Sequence, residues 1–204
     1  MGTRDASRKI VVALATEELC KTKHLRNITV PEICEKAGLS KTSFYRLFND
    51  KYDVALWIQS IPLVKGVGEC GRTLTCEQGV AVTLQGQMLF KNLYLQAANA
   101  GEVLSPDEQA RISSASMLRE TIEQYHHQEV DDELDFMVDW LSISGREMVK
   151  KWLRDDKGRD VQTIAKYIAD CCPARLRDIL DNPITPSETE SIDFQRFMLM
   201  ALER

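Results

Sequence analysis

Apolar residues in the first sixty positions recur at helical spacing in three short runs. Val11, Leu14, Ala15 and Leu19 share one face, interrupted by Glu18, Ile33 and Ala37 lie four apart, and Phe44, Leu47 and Phe48 repeat at i, i+3 and i+4. The polar residues between them are helix punctuation. Thr29 followed by Glu32 is a capping box, and Pro31 falls in the same first turn, where its missing N–H is harmless. Gly38 stands where a helix end wants a left-handed residue. Ser40 caps the next helix, and Asp50 a further one that begins at Lys51. Residues 28–51 therefore read as two short capped helices joined by a glycine turn, with a third helix starting behind them.

Beyond Lys51 the pattern stays helical, with no convincing alternating strand, so the expected fold class is all-α. A helix from Lys51 runs to Pro62, and GVGECGRTLTCEQG follows as a glycine-rich connection. The segment from Val80 to Ala100 is apolar on more than one side, as in a central helix enclosed by others. Ser105, Pro106 and Glu108 make a second capping box that opens a helix to about Gln128. Asp131, Asp132 and Glu133 then place negative charge at the start of another helix, spanning 133–154. Within it Leu134, Val138, Leu141, Gly145, Met148 and Trp152 alternate steps of four and three, the rhythm of a helix packed along its length against a neighbour. Asp160 caps a helix over 160–171 striped by Val161, Ile164, Ala165 and Ile168, and Phe194, Phe197, Met198 and Ala201 mark a short C-terminal one.

The polar face of the helix after Ser40 suits a DNA major groove. Lys41, Thr42, Ser43, Tyr45 and Arg46 lie opposite the apolar face: short hydroxyls allow close approach, the cations meet phosphate or guanine, and Tyr45 offers a hydroxyl and a ring. Thr29 and Ser40 join the candidate DNA-binding residues, as does Lys51, which beside a helix N-terminus is placed for a backbone phosphate. The same residues would also serve an αα-hairpin inside a bundle with its polar side in water.

The string ITV-x-EI-x-x-x-AG-x-SK-x-x-FYR-x-F-x-x-K, from Ile28 to Lys51, resembles the DNA-binding domain of the TetR family of bacterial transcriptional regulators. Ser43 and Arg46 depart from residues frequent in that family, and both lie on the reading face. The resemblance implies a helix-turn-helix domain over 1–52 and a helical regulatory and dimerisation domain over 53–204. It further implies a homodimer on a palindromic double-stranded operator, usually a repressor, released by a small-molecule effector. The last two long helices of that family commonly form a four-helix dimer interface, which assigns Leu134, Val138, Leu141, Gly145, Met148, Trp152, Ile164 and Ile168 to it here. A seam within one chain would show the same periodicity. From Gly145 onward the sequence loosely resembles the subgroup that includes activators of dihydroxyacetone kinase operons.

Composition refines this picture. The net charge of −5 is unevenly spread: residues 1–53 hold ten Lys/Arg against seven Asp/Glu, leaving −8 on the remainder. A mildly basic head on an acidic body fits specific, salt-sensitive DNA binding. It also suits an alternative, a TetR-like coactivator or adaptor acting through a protein partner. No apolar run is long enough for a membrane span and no signal peptide opens the chain, so the expected location is cytoplasmic. The six cysteines form no C-x-x-C pair and read as reduced, buried residues, with a thiol sensor at Cys70 and Cys76 or at Cys171 and Cys172 as the other option. An effector pocket is sought among the large side chains Trp57, Met88, Phe90, Tyr94, Met117, Tyr125 and Trp140, any of which could equally be core. Adjacent His126 and His127 lack the i, i+4 spacing of a metal pair, and there is no phosphate loop, nucleophile elbow or carboxylate pair. No metal, cofactor or catalytic activity is expected.

Overall fold

A computed structural model describes residues 3–97, 106–155 and 158–186. The expected C-terminal helix at 194–201 and the cap at Ser105 lie outside these residues. Ten α-helices follow one another: α1 (Thr3–Cys20), α2 (Val30–Ala37), α3 (Lys41–Leu47), α4 (Lys51–Lys65), α5 (Cys76–Leu89), α6 (Lys91–Ala97), α7 (Pro106–Glu120), α8 (Asp132–Arg154), α9 (Val161–Asp170) and α10 (Ala174–Leu180). Among the described residues there is no strand beyond one isolated bridge, Cys70 to Leu74, and no helix is long and apolar enough to cross a membrane.

The caps form where the sequence puts them. Thr29 and Glu32 make both halves of their box, and Gly38 ends α2 in the left-handed region at φ 64°. Ser40 accepts from the Ser43 N–H, Asp50 from those of Tyr52 and Asp53, and Asp160 from that of Thr163. Unforeseen is the box of Thr75 and Gln78, which starts α5 inside the supposed loose connection. That connection is compact. A Cβ on Gly66 would run into Thr83 and the Gly79 carbonyl, so the two glycines let the end of α4 and the start of α5 touch. Pro62 is accommodated inside α4, which continues to Lys65.

The expected single apolar helix over 80–100 is two helices, broken at Phe90. The reason is a distant one: Glu17 of α1 accepts hydrogen bonds from the Asn92 and Leu93 amides, so a new helix N-terminus forms there. The helix opened at Pro106 gives way to a π-helical turn over Thr121–Tyr125 and stops at His127, whose φ is 52°.

Two cores result. The first joins α1 to α4 around Ile10, Leu25, Ile33, Phe44, Phe48 and Ile58, and it is completed by Phe90, Leu93 and Ala97 from far along the chain. The second gathers α5 and α7 to α10 around Leu84, Leu118, Ile122, Val138 and Leu153.

Candidate nucleic-acid interface and effector cavity

Helix α3 is held by Phe44 and Leu47, both buried, with Phe44 ringed by Tyr45 edge-on at 5.5 Å and by Phe48 at 5.9 Å. Anchoring one side leaves the other in solvent. Lys41, Thr42, Tyr45 and Arg46 are exposed and Ser43 is half-buried; Tyr45 shows 57% of its surface. Among the described residues Arg46 pairs with Asp5, at 3.9 Å between two exposed side chains, a loose contact that can exchange for a phosphate. Ser40 donates to the Ser43 hydroxyl at 3.0 Å, which fixes the first turn of α3 from outside. These residues form one continuous polar surface on a rigidly packed helix.

Thr29 and Lys51 are engaged in the scaffold instead. The Thr29 hydroxyl donates to Glu32 at 2.7 Å, and Lys23 donates to the same carboxylate at 2.6 Å. Hydrogen bonds from Lys23 and Thr29 hold the Glu32 carboxyl down at about 2. The Lys51 ammonium donates to the carbonyls of Arg26 and Ile28 at 2.7 and 2.8 Å, and burial lowers its pKa. It staples α4 to the turn before α2. The sequence placed it on phosphate because a lysine beside a helix N-terminus has that chemistry, but two backbone carbonyls, two dozen residues upstream, take its donors.

A second signal that sequence reasoning missed lies behind the reading head. Glu17 is buried in α1 and accepts from the Asn92 side chain at 2.7 Å as well as from the Leu93 N–H at 2.7 Å. Burial raises its pKa, and the three hydrogen bonds act against that rise. One turn of helix later Gln96 accepts from the Leu25 N–H at 2.5 Å and donates to the Cys20 carbonyl at 2.8 Å. Helix α6 is thus clamped to the reading head at both ends.

In the body, α4, α5, α7 and α8, with Ile168 of α9 and Leu180 of α10, line a partly open cavity of about 70 Å³. Its wall is mostly aliphatic, with Thr83, Gln87, Ser114, Ser142 and Arg146 as the polar members. None of the seven side chains expected at an effector pocket lines it. Trp57 packs on Phe48 in the first core, Phe90 is buried there too, and Tyr94 is buried in the second core beneath Arg146, 5.8 Å from its ring. Met88 and Tyr125 are exposed, with Arg72 stacked on Tyr125 at 4.2 Å, and Met117 abuts Gly68. Trp140 lines an adjoining open groove of about 410 Å³ between α8 and α9, which shares Leu141, Gly145 and Ile168 with the cavity. Aromatics and methionines announce size, whereas the cavity is bounded by small and aliphatic side chains that periodicity marks only as core.

Most of the predicted α8 seam faces inward, but Met148, assigned to the same stripe, is 53% exposed. Leu134, Val138, Trp152 and Ile164 are buried in the protomer's own core, and Leu141 and Ile168 pack against it. A Cβ on Gly145 would meet nothing within 4 Å. The solvent-exposed side of α8 carries Phe136, Trp140, Ile143 and Met148, with Tyr167 of α9 also exposed; Phe136 is 71% exposed.

Burial disfavours the thiolate at several of the cysteines. Cys20, Cys34, Cys70, Cys76 and Cys172 are buried and Cys171 is exposed, none in a disulfide. Burial pushes Cys20 up to about 12, and Cys70 and Cys172 are also raised, Cys172 first by its hydrogen bond with Cys76. A thiol above the neutral range is a poor nucleophile. His126 donates Nε2–H to the Gly71 carbonyl at 2.8 Å, a structural contact, and no group of metal-ligating side chains occurs among the described residues.

Comparison with known proteins agrees with this geometry. Residues 14–56 match the family "Bacterial regulatory proteins, tetR family". Among solved structures, the "Dihydroxyacetone kinase operon activator DhaS" superimposes with a TM-score of 0.62 at 13% identity, covering 85% of this chain and 98% of that one. A gamma-butyrolactone receptor (ArpA-like protein) is 22% identical over 84% of this chain and 96% of its own, with a TM-score of 0.39. No curated protein gives a significant sequence match. Residues 14–56, from within α1 to the start of α4, therefore match the TetR-family helix-turn-helix DNA-binding domain, and the all-helical chain as a whole shares the fold of the DhaS structure.

Proposed function

We propose that the protein is a sequence-specific, DNA-binding transcriptional regulator that works in the cytoplasm as a ligand-responsive homodimeric repressor, without enzymatic activity. The observation that carries this reading is the solvent-exposed surface of Lys41, Thr42, Tyr45 and Arg46 on a helix whose opposite face is locked into a core. Such a helix can enter a major groove without rearranging its support. The exposed apolar strip of Phe136, Trp140, Ile143, Met148 and Tyr167 supports pairing of two subunits through α8 and α9. A dimer would set two α3 helices in successive major grooves of a palindromic site, about 34–36 Å apart. Helix α6, continuous in sequence with the cavity wall of α5 and clamped to α1, is the natural route by which an effector changes that separation.

The test is binding of the full chain to DNA from its own upstream region at two salt concentrations, with Tyr45→Ala as control. Tight, salt-dependent binding that falls about tenfold or more in the variant, with thermal stability unchanged, is expected; loss of one aromatic phosphate or base contact costs about 1–3 kcal/mol. Equal DNA affinity of the two proteins would remove α3 as the reading helix.

A further inference from the structure

The cavity in the body has a chemical signature beyond its location. Gln87 and Ser142 are each 5% exposed, and both line it. Gln87 Oε1 and Ser142 Oγ have no hydrogen-bond partner among the described residues. The other hydroxyls of the wall are satisfied within the chain: Thr83 donates to backbone carbonyls of Pro62 and Gly79 and accepts from the Val67 N–H, and Ser114 donates to the Arg111 carbonyl. Burying a polar atom without a partner is costly, so two such atoms on facing helices α5 and α8 define a complementary guest. Gln87 Oε1 requires a donor. Ser142 Oγ can donate to an acceptor.

We propose that this cavity binds a small, neutral aliphatic molecule through one hydroxyl, which donates to Gln87 Oε1 and accepts from Ser142 while its carbon body lies against Leu84, Leu118 and Val149. An ammonium would be placed in a wall that already holds the buried Arg146 guanidinium; a carboxylate would gain from that charge but brings only acceptors and would set oxygen against Gln87 Oε1, which makes butyrate the decisive competitor. A room of about 70 Å³ exceeds the ~10–15 Å³ that one water needs and is below the ~150 Å³ that admits benzene, which bounds the guest below benzene's six heavy atoms without rearrangement. As the class of the effector, this rests on the regulatory reading above; as a binding site, it rests on the cavity.

The experiment is a titration of the full chain, methyl-labelled at Leu and Val, with 1-butanol, its isostere n-pentane, butyrate and n-butylammonium, read by shifts of the Leu84, Leu118 and Val149 methyl resonances. Saturable binding of 1-butanol is expected, at least tenfold tighter than each charged analogue and tighter than pentane. Gln87→Met and Ser142→Ala should each weaken it by about five- to tenfold, while the dispersed methyl spectrum reports that both variants fold. Pentane binding as well as butanol would show an apolar cavity with no role for the polar pair. Preference for butyrate would overturn the neutral class. No saturable shift from any probe would mean that water satisfies Gln87 and Ser142, and the site would be withdrawn. Operator binding measured on the same preparations separates the two claims: butanol bound without specific DNA binding refutes the regulator and keeps the site, whereas specific DNA binding with no butanol bound refutes the site alone.

Discussion

Replacing Glu17 by alanine should be among the most damaging single changes in the reading head. The carboxylate accepts from the Leu93 N–H at 2.7 Å, the Asn92 N–H at 3.2 Å and the Asn92 side chain at 2.7 Å. Hydrogen bonds to a charged acceptor contribute about 1.5–3 kcal/mol each, and losing a helix cap costs about 0.5–2 kcal/mol. Relief from burying the charge offsets part of this, since burial is the leading cause of the raised Glu17 pKa. The net expectation for Glu17→Ala is a loss of about 2–3 kcal/mol, and Glu17→Gln, which keeps one acceptor oxygen, should lose about half as much. Urea denaturation followed by circular dichroism would show the alanine midpoint falling by roughly 1 M for a slope near the upper end of the usual range. Amide exchange at Leu93 should accelerate in parallel. A midpoint change equivalent to less than about 0.5 kcal/mol, with Leu93 still protected, would refute the account of Glu17 as the cap that breaks α5 from α6.

Other consequences follow from the same geometry. Because Glu32 is held at about 2, below its unfolded value, its stabilisation is complete above about pH 5 and is lost as pH falls toward 2; Glu32→Gln should flatten that acid slope in a pH series of thermal melts. Glu17 acts with the opposite sign: its raised pKa lets the folded state take up a proton first, so stability from this group declines as pH rises through the folded value, and Glu17→Gln should remove that decline. Lys51→Met should lower stability by about 1–2 kcal/mol in chemical denaturation through loss of its two carbonyl bonds, whereas Tyr45→Ala should stay within about 0.5 kcal/mol of the parent. Gly145→Ala adds a methyl into open space within the protomer and should stabilise α8 by about 0.5–1 kcal/mol; a weakened dimer in sedimentation would place Gly145 against the second subunit.

The features legible in the sequence were those decided within one helical turn. Thr29 with Glu32, Gly38, Ser40, Asp50 and Asp160 act on neighbours three or four positions away, and each cap forms as read. The exposed face of α3 followed from the apolar positions of Phe44, Leu47 and Phe48. Contacts across long sequence separations were opaque. Nothing near Phe90 signals a helix break, because the cap comes from Glu17; nothing near Lys51 reveals that its donors go to Arg26 and Ile28. The periodic stripe of α8 was real, but a stripe states that a face is covered and not by which chain. Its inward residues cover the protomer core, whereas the exposed strip of Phe136, Trp140 and Ile143 runs two positions off that rhythm and is joined by Met148 from the stripe itself.

Phe90, Leu93 and Ala97 close the core of a reading head whose family match ends at residue 56. The head is therefore not a cassette. A chimera built by joining residues 1–56 to a foreign body would leave an apolar socket open and the Leu25 amide without Gln96, and would inherit the specificity surface on a weakened support. Transplanting this DNA specificity requires carrying α6 with it, and drift in α6 is constrained by two cores at once, since Tyr94 on the same helix belongs to the other.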